Sequence, residues 1–84
     1  MYDYVFKNQA LKDLSKLPKD VQKKIIKKLD YFVSYPDPLS FAERLVNFEV
    51  GQYRFRIGDY RVIFDVKSEK IIILTLGHRR EVYK

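Results

Sequence analysis

The chain contains no cysteine. Disulfides and thiolate metal sites are therefore excluded. This fits a reducing compartment, and the cytoplasm is the expected place of action. Only one histidine is present, and serine occurs only at 15, 34, 40 and 68, none in a nucleophile-elbow context. A Ser-His-Asp or Cys-His catalytic set is hard to build from that inventory. The acidic residues are scattered, with no HExxH and no paired-carboxylate spacing, so no metal site is expected. The three glycines, Gly51, Gly58 and Gly77, fall at the ends of strand patterns and form no nucleotide-binding loop. No apolar run approaches membrane-spanning length. The opening Met-Tyr-Asp-Tyr-Val-Phe-Lys has neither the basic start nor the apolar run of a signal peptide.

Hydrophobic residues make up 46% of the 84, enough for one domain with a single core spanning 1–84. The net charge is +6 and it is uneven: residues 1–50 carry +2, residues 51–84 carry +4. Five of the six arginines (54, 56, 61, 79 and 80) lie in the second part, and eight of the eleven lysines in the first. Arginine is the residue suited to bidentate phosphate contact, whereas lysine gives a diffuse positive surface. The balance implies a polyanionic partner or an acidic protein.

Tyr2, Tyr4 and Phe6 alternate with Asp3, Val5 and Lys7, which predicts a short strand. Asn8 then has the chemistry of an N-cap. Ala10, Leu11, Leu14 and Leu17 mark one face of a helix that Pro18 stops. Val21, Ile25, Leu29 and Phe32 mark a second helix, ending near Ser34 because Pro36 disfavours helix just before it. Lys23, Lys24, Lys27 and Lys28 share its outer face. A solvated face and a docking surface for a large RNA both account for them. Leu39, Phe41, Leu45, Val46 and Phe48 are expected to anchor a mixed segment to the core.

Residues 51–64, Gly-Gln-Tyr-Arg-Phe-Arg-Ile-Gly-Asp-Tyr-Arg-Val-Ile-Phe, read as a β-hairpin. Gly58-Asp59 is a two-residue turn with glycine where type II′ needs it. That turn sets Ile57 opposite Tyr60 and Arg56 opposite Arg61, with Arg54 on the same face. Like charges directly opposite one another destabilise a strand pair, so an anion is expected among them. A tight Ser68-Glu69 turn leads to Ile71-Ile72-Ile73-Leu74-Thr75-Leu76, apolar on both faces and hence a central strand. An unbroken register puts Leu76 opposite Arg61, with His78 and Arg79 just beyond. The order is β-α-α-β-β-β: an α+β domain with a helical hairpin on one face of a four-stranded sheet. The arginine face can hold a phosphodiester and offset transition-state charge. Solvent-exposed arginines, a surface histidine and a terminal tyrosine on the sheet edge are the plainer alternatives.

Two stretches, Tyr-Arg-Phe-Arg-Ile-Gly-Asp-Tyr-Arg-Val-Ile-Phe (53–64) and Leu-Gly-His-Arg-Arg-Glu-Val-Tyr (76–83), closely resemble the RelE toxins of type II toxin–antitoxin systems, within the RelE/ParE superfamily. The resemblance covers the whole chain. It implies a ribosome-dependent mRNA endoribonuclease acting in the ribosomal A site without metal or small-molecule cofactor. A ribose 2′-hydroxyl attacks the adjacent phosphate to give a 2′,3′-cyclic phosphate and a 5′-hydroxyl. It assigns catalytic roles to Arg54 and Arg56 near the nucleophile, Arg61 at the phosphate, Arg79 at the leaving 5′-oxygen and Tyr83 in orienting or stacking the substrate. His78, Arg80, Lys23 and Lys27 are the expected RNA-binding residues. Well-studied members carry lysine where Arg54 and Arg56 stand here. Arginine is effectively never deprotonated, so neither makes a good general base, and His78 is the candidate for proton transfer because histidine titrates near neutrality. A RelB-like antitoxin is the implied partner, with a helix covering the basic patch and the helical hairpin, since this sequence stops at Lys84 where many relatives continue into a helix. The alternative on the same fold is a ParE-like gyrase inhibitor without catalysis.

Overall fold

In the computed structural model, which describes residues 1–46 and 49–82, a short strand β1 (Asp3–Phe6) leads into helices α1 (Asn8–Ser15) and α2 (Lys19–Val33). A 3-10 turn (Pro38–Phe41) then leads into β2 (Ala42–Arg44), β3 (Tyr53–Ile57), β4 (Tyr60–Lys67) and β5 (Lys70–His78). The strands form one mixed sheet in the order β1-β5-β4-β3-β2; β1 runs parallel to β5 and the other pairs are antiparallel. The expected α+β order is present. The addition is β2, three residues long, which makes the sheet five-stranded. Three residues carry too little alternation to be seen in sequence.

Both helices cover one face of the sheet. Ala10, Ile25, Leu29 and Phe32 are buried against Phe55, Ile57, Val62, Phe64, Ile71, Ile73 and Leu76. Aromatic rings run through this core: Phe32 stacks on Phe55 at 4.5 Å between centroids, and Phe55 on Phe64 at 4.4 Å. Truncating such a ring to alanine costs about 3–5 kcal/mol. Asn8 does not cap α1; it is the first helical residue, Lys7 occupies the cap position, and no side chain caps that end. The helix instead follows directly from β1, where the Lys7 N–H donates to the Ile73 carbonyl at 2.8 Å.

The segment after α2 is anchored less fully than expected. Phe41 stacks on Phe32 at 4.9 Å, but Val46 is 95% exposed, because β2 is an edge strand and the chain turns outward past it. Phe48 lies outside the described residues. Around the far end of this segment, Gly51 crosses over the sheet face opposite the helices. A Cβ there would sit 2.5 Å from Ile63 Cγ2, and the backbone φ is +156°. This close crossing buries Ile63 on the face that otherwise carries arginines.

The β4–β5 pairing differs from expectation by one residue. From Lys67↔Lys70 to Phe64↔Ile73 the register is that of an unbroken two-residue turn. Between Ile63 and Phe64 it shifts, so that Ile63 faces Thr75 and Leu74 is the extra residue of a bulge. Leu76 therefore faces Val62, and Gly77 faces Arg61. The bulge serves the core: Leu76 is 3% exposed on the helix side, whereas the unbroken register would set it among guanidiniums on the other. β5 also runs past Gly77 to His78.

Candidate functional site: an arginine face with a carboxylate in it

The Gly58-Asp59 turn organises the site. Gly58 adopts φ +59° while Asp59 stays out of the left-handed region, as a type II′ turn requires. It sets Ile57 opposite Tyr60 and Arg56 opposite Arg61, with Arg54 opposite Ile63. Strand alternation then places Arg54, Arg56 and Arg61 on the face away from the helices. Arg61 is only 6% exposed. Its Nη1 donates to the Gly58 carbonyl at 2.8 Å and to the Tyr60 carbonyl at 2.9 Å. The turn that fixes the register also fixes this guanidinium.

The anion expected among the arginines belongs to the chain itself. Glu43, on β2, stands opposite Arg54 in the ladder. Its Oε2 accepts from Arg54 Nη2 at 3.1 Å, and its Oε1 lies 3.5 Å from Arg56 Nε. The hydrogen bond from Arg54 holds the Glu43 carboxyl below the usual glutamate range; some desolvation opposes it, and the charges of Arg54, Arg56 and Arg61 add to the lowering. Sequence reasoning missed Glu43, because the signal would have been the β2 pairing and β2 is too short to read. Like charges on one face do need an anion, and an internal carboxylate supplies it.

Arg79 reaches the same turn from the other side. Its backbone N–H donates to the Asp59 carbonyl at 2.8 Å, and its Nε lies 4.0 Å from Asp59 Oδ1 with the side chain half exposed. Arg79 follows the last residue of β5, and these two contacts place it beside Asp59 at the hairpin tip. His78 goes the other way. It pairs with Tyr60, and the two rings stand edge-on at 5.7 Å, on the helix side of the turn. The exposed Arg80 donates its backbone N–H to His78 Nδ1 at 3.2 Å. An accepting Nδ1 leaves the proton of a neutral imidazole on Nε2. Tyr83 lies outside the described residues.

The lysines of α2 are not gathered with the arginines. Lys23 and Lys27 line an open groove of about 370 Å³ with Gln22, Ile26 and Asp30, on a helix that covers the opposite face. Lys24 is different: its Nζ lies 3.2 Å from where a Cβ on Gly58 would sit, so it reaches the hairpin tip. Lys28 is over the rings of Tyr31 and Phe32, at 5.3 and 6.0 Å from their centroids. Among the described residues, no three His, Asp or Glu side chains gather as a metal-holding set, and no helix is long and apolar enough to cross a membrane.

Such a face can do one kind of chemistry well. Three guanidiniums, two of them on a shared carboxylate, offer a phosphodiester a dense field of donors beside one group that can accept a proton.

A family model for the ParE toxin of type II toxin–antitoxin systems, parDE, matches residues 4–83. Comparison with curated proteins gives no match. Among solved structures, the toxin–antitoxin complex RelBE2 from Mycobacterium tuberculosis superposes with a TM-score of 0.80 at 26% identity, over 93% of this chain and 98% of that one. The archaeal RelE–RelB complex from Pyrococcus horikoshii gives 0.71 at 31% identity, over 95% and 97%. The isolated E. coli RelE toxin gives 0.71 at 26% identity, over 99% and 92%.

Proposed function

Since the chain belongs to the ParE toxin family of type II toxin–antitoxin systems, we propose that it is the toxin of such a module and acts in the cytoplasm as a ribosome-dependent mRNA endoribonuclease. The observation that carries this reading is the Arg54–Glu43–Arg56 arrangement beside Arg61 on one sheet face.

The reaction uses these groups as follows. Arg56 and Arg61 bind the scissile phosphate. In doing so the phosphate draws Arg56 away from Glu43 and brings its own negative charge nearby, and both raise the Glu43 pKa while the hydrogen bond from Arg54 remains. Glu43 then takes the proton of the ribose 2′-hydroxyl. The 2′-oxygen bonds to phosphorus, the bond from phosphorus to the 5′-oxygen breaks, and the products are a 2′,3′-cyclic phosphate and a 5′-hydroxyl. The leaving oxygen takes its proton from water while Arg79 offsets its charge. Arginine need not act as a base in this scheme, so the replacement of the usual lysines at 54 and 56 ceases to be an obstacle. Tyr83 is assigned the orienting role by resemblance. The ribosomal A site positions the mRNA, with Arg80, Lys23 and Lys27 on ribosomal RNA. The partner that silences the toxin is a RelB-like antitoxin, supported by the solved RelE–RelB complexes.

A second reading, a gyrase poison without catalysis, is favoured by the family model carrying the ParE name. Purified toxin incubated with a defined mRNA, with and without programmed ribosomes, separates the two. The nuclease reading expects cuts ending in a cyclic phosphate only when ribosomes are present. Intact mRNA alongside inhibited gyrase supercoiling gives the second reading instead.

A further inference from the structure

The geometry points to Gly77 as a positioning residue: its missing side chain is the seat on which the RNA backbone rests against Arg61 and Arg79. This inference rests on the nuclease reading and extends it to a residue that has no reactive group. Gly77 lies within β5, directly across the ladder from Arg61. It is the next-to-last residue of the strand, and a paired strand position still disfavours glycine unless the backbone demands it. Three demands are usual, and none applies here. The backbone is not left-handed, since Gly51 and Gly58 are the positive-φ glycines. The bulge is three residues earlier, at Leu74. No close crossing occurs, for no described atom lies within 4 Å of a Cβ built on Gly77.

Gly51 shows what a packing glycine looks like against this same sheet: there the Cβ would meet Ile63 at 2.5 Å. At Gly77 the space is open, and the residues beside it in the ladder are cationic. Arg61 is its cross-strand neighbour, and Arg56 stands beyond Arg61 in the next ladder. Arg79 follows two residues along, tied through its backbone N–H to the Asp59 carbonyl. On this inference a phosphate seated on the Gly77 peptide meets Arg61 from across the ladder and Arg79 from the residues that follow. A side chain there would hold it away from them, and a displacement of about 1 Å costs roughly 10²-fold in rate. The Leu74 bulge acquires a second purpose on this view, because without it the residue facing Arg61 would be leucine.

The test compares wild type, Gly77→Ala and Gly77→Val as full-length toxins, by thermal melting and by cleavage of mRNA on programmed ribosomes. Melting temperatures at or above the wild-type value are expected, since the added atoms enter open space. Cleavage falls with side-chain size, about tenfold for alanine and about 10²-fold for valine. A purely structural role would instead lower the melting temperature along with the rate. Gly77→Ala cutting within twofold of wild type overturns the inference, whatever valine does. Wild-type toxin that leaves ribosome-bound mRNA intact overturns the nuclease reading itself, and this inference with it.

Discussion

Asp13, in the first helix, accepts the backbone N–H of Leu76 at 3.2 Å across 63 residues of sequence. The same Oδ2 accepts from the Thr75 hydroxyl at 2.6 Å, while Oδ1 accepts from Gln9 Nε2 at 2.8 Å. β1 pairs with β5 only as far as Ile73, and past that point the Leu76 N–H finds its acceptor on this helix. Asp13 therefore ties β5 to the first helix just past the bulge, where Gly77, not Leu76, stands across from Arg61.

Removing that carboxylate loosens the bulge from α1. Asp13→Ala is expected to lower stability by about 1–2 kcal/mol, since hydrogen bonds to a charged but partly exposed group are lost. Urea unfolding measures this, and an unchanged midpoint refutes it. Burial works to raise the Asp13 pKa, yet the hydrogen bonds from Thr75, Gln9 and Leu76, with the Lys16 charge, leave it below the usual aspartate range. A depressed folded-state pKa adds stability above the unfolded value of about 3.9 and loses it as pH falls through the folded one. Wild type should therefore weaken more steeply than Asp13→Ala below about pH 4.

Glu43 gives a prediction about rate. Glu43→Gln keeps hydrogen-bonding atoms near Arg54 and Arg56 but cannot take a proton. Cleavage on ribosomes should fall about 10²–10⁴-fold, the usual worth of a general base. His78→Ala should cost less, because His78 faces Tyr60 on the other side of the turn. A larger loss in His78→Ala would return proton transfer to the histidine. The pH profile adds a second check. The lowered pKa of Glu43 keeps the base ionised in the free toxin, so kcat/KM should hold until pH drops below the ordinary glutamate range, while the acid limb of kcat lies higher.

The hairpin was legible because a two-residue turn leaves no freedom in register: Ile57–Tyr60 and Arg56–Arg61 follow from Gly58-Asp59 alone. The helices were legible from apolar spacing, and their ends from Pro18 and Pro36. The bulge was not, because the run Ile71-Ile72-Ile73-Leu74-Thr75-Leu76 is apolar on both faces and offers no alternation to reveal a slip. It seats Leu76 in the core beside a carboxylate 63 residues away, and single-sequence patterning is blind to such contacts. Glu43 escaped for the same reason: its partners are 11 residues off in Arg54 and further in Arg56, across a strand of three residues.

Gly51 differs from Gly77 in what a methyl group would meet. Gly51→Ala forces a Cβ into Ile63, 2.5 Å away, on a backbone at φ +156°. Overpacking of this kind costs about 1–3 kcal/mol. Calorimetry should show a lower melting temperature for Gly51→Ala than for wild type. Equal stability would mean that the chain between β2 and β3 lifts away from the sheet at little cost.

Arg61 and Arg79 allow folding and chemistry to be separated at one turn. Arg61 is buried and its Nη1 joins two carbonyls of the hairpin tip, at Gly58 and Tyr60. Arg61→Ala leaves both carbonyls short of a donor and empties a buried position, so stability should fall by about 1–3 kcal/mol. Cleavage should fall by about 10²–10³-fold as well, the cost of losing one transition-state donor. Arg79 makes its link to the turn through its backbone N–H, while its side chain is 52% exposed and only 4.0 Å from Asp59. Arg79→Ala keeps the backbone bond and gives up an ion pair of the weak, solvated kind. It should melt as wild type does and still lose about 10²–10³-fold in rate. Measuring both quantities on both variants decides the matter: if Arg79→Ala retains its rate, the leaving oxygen departs without help from this tail, and the arginine face must end at Arg61.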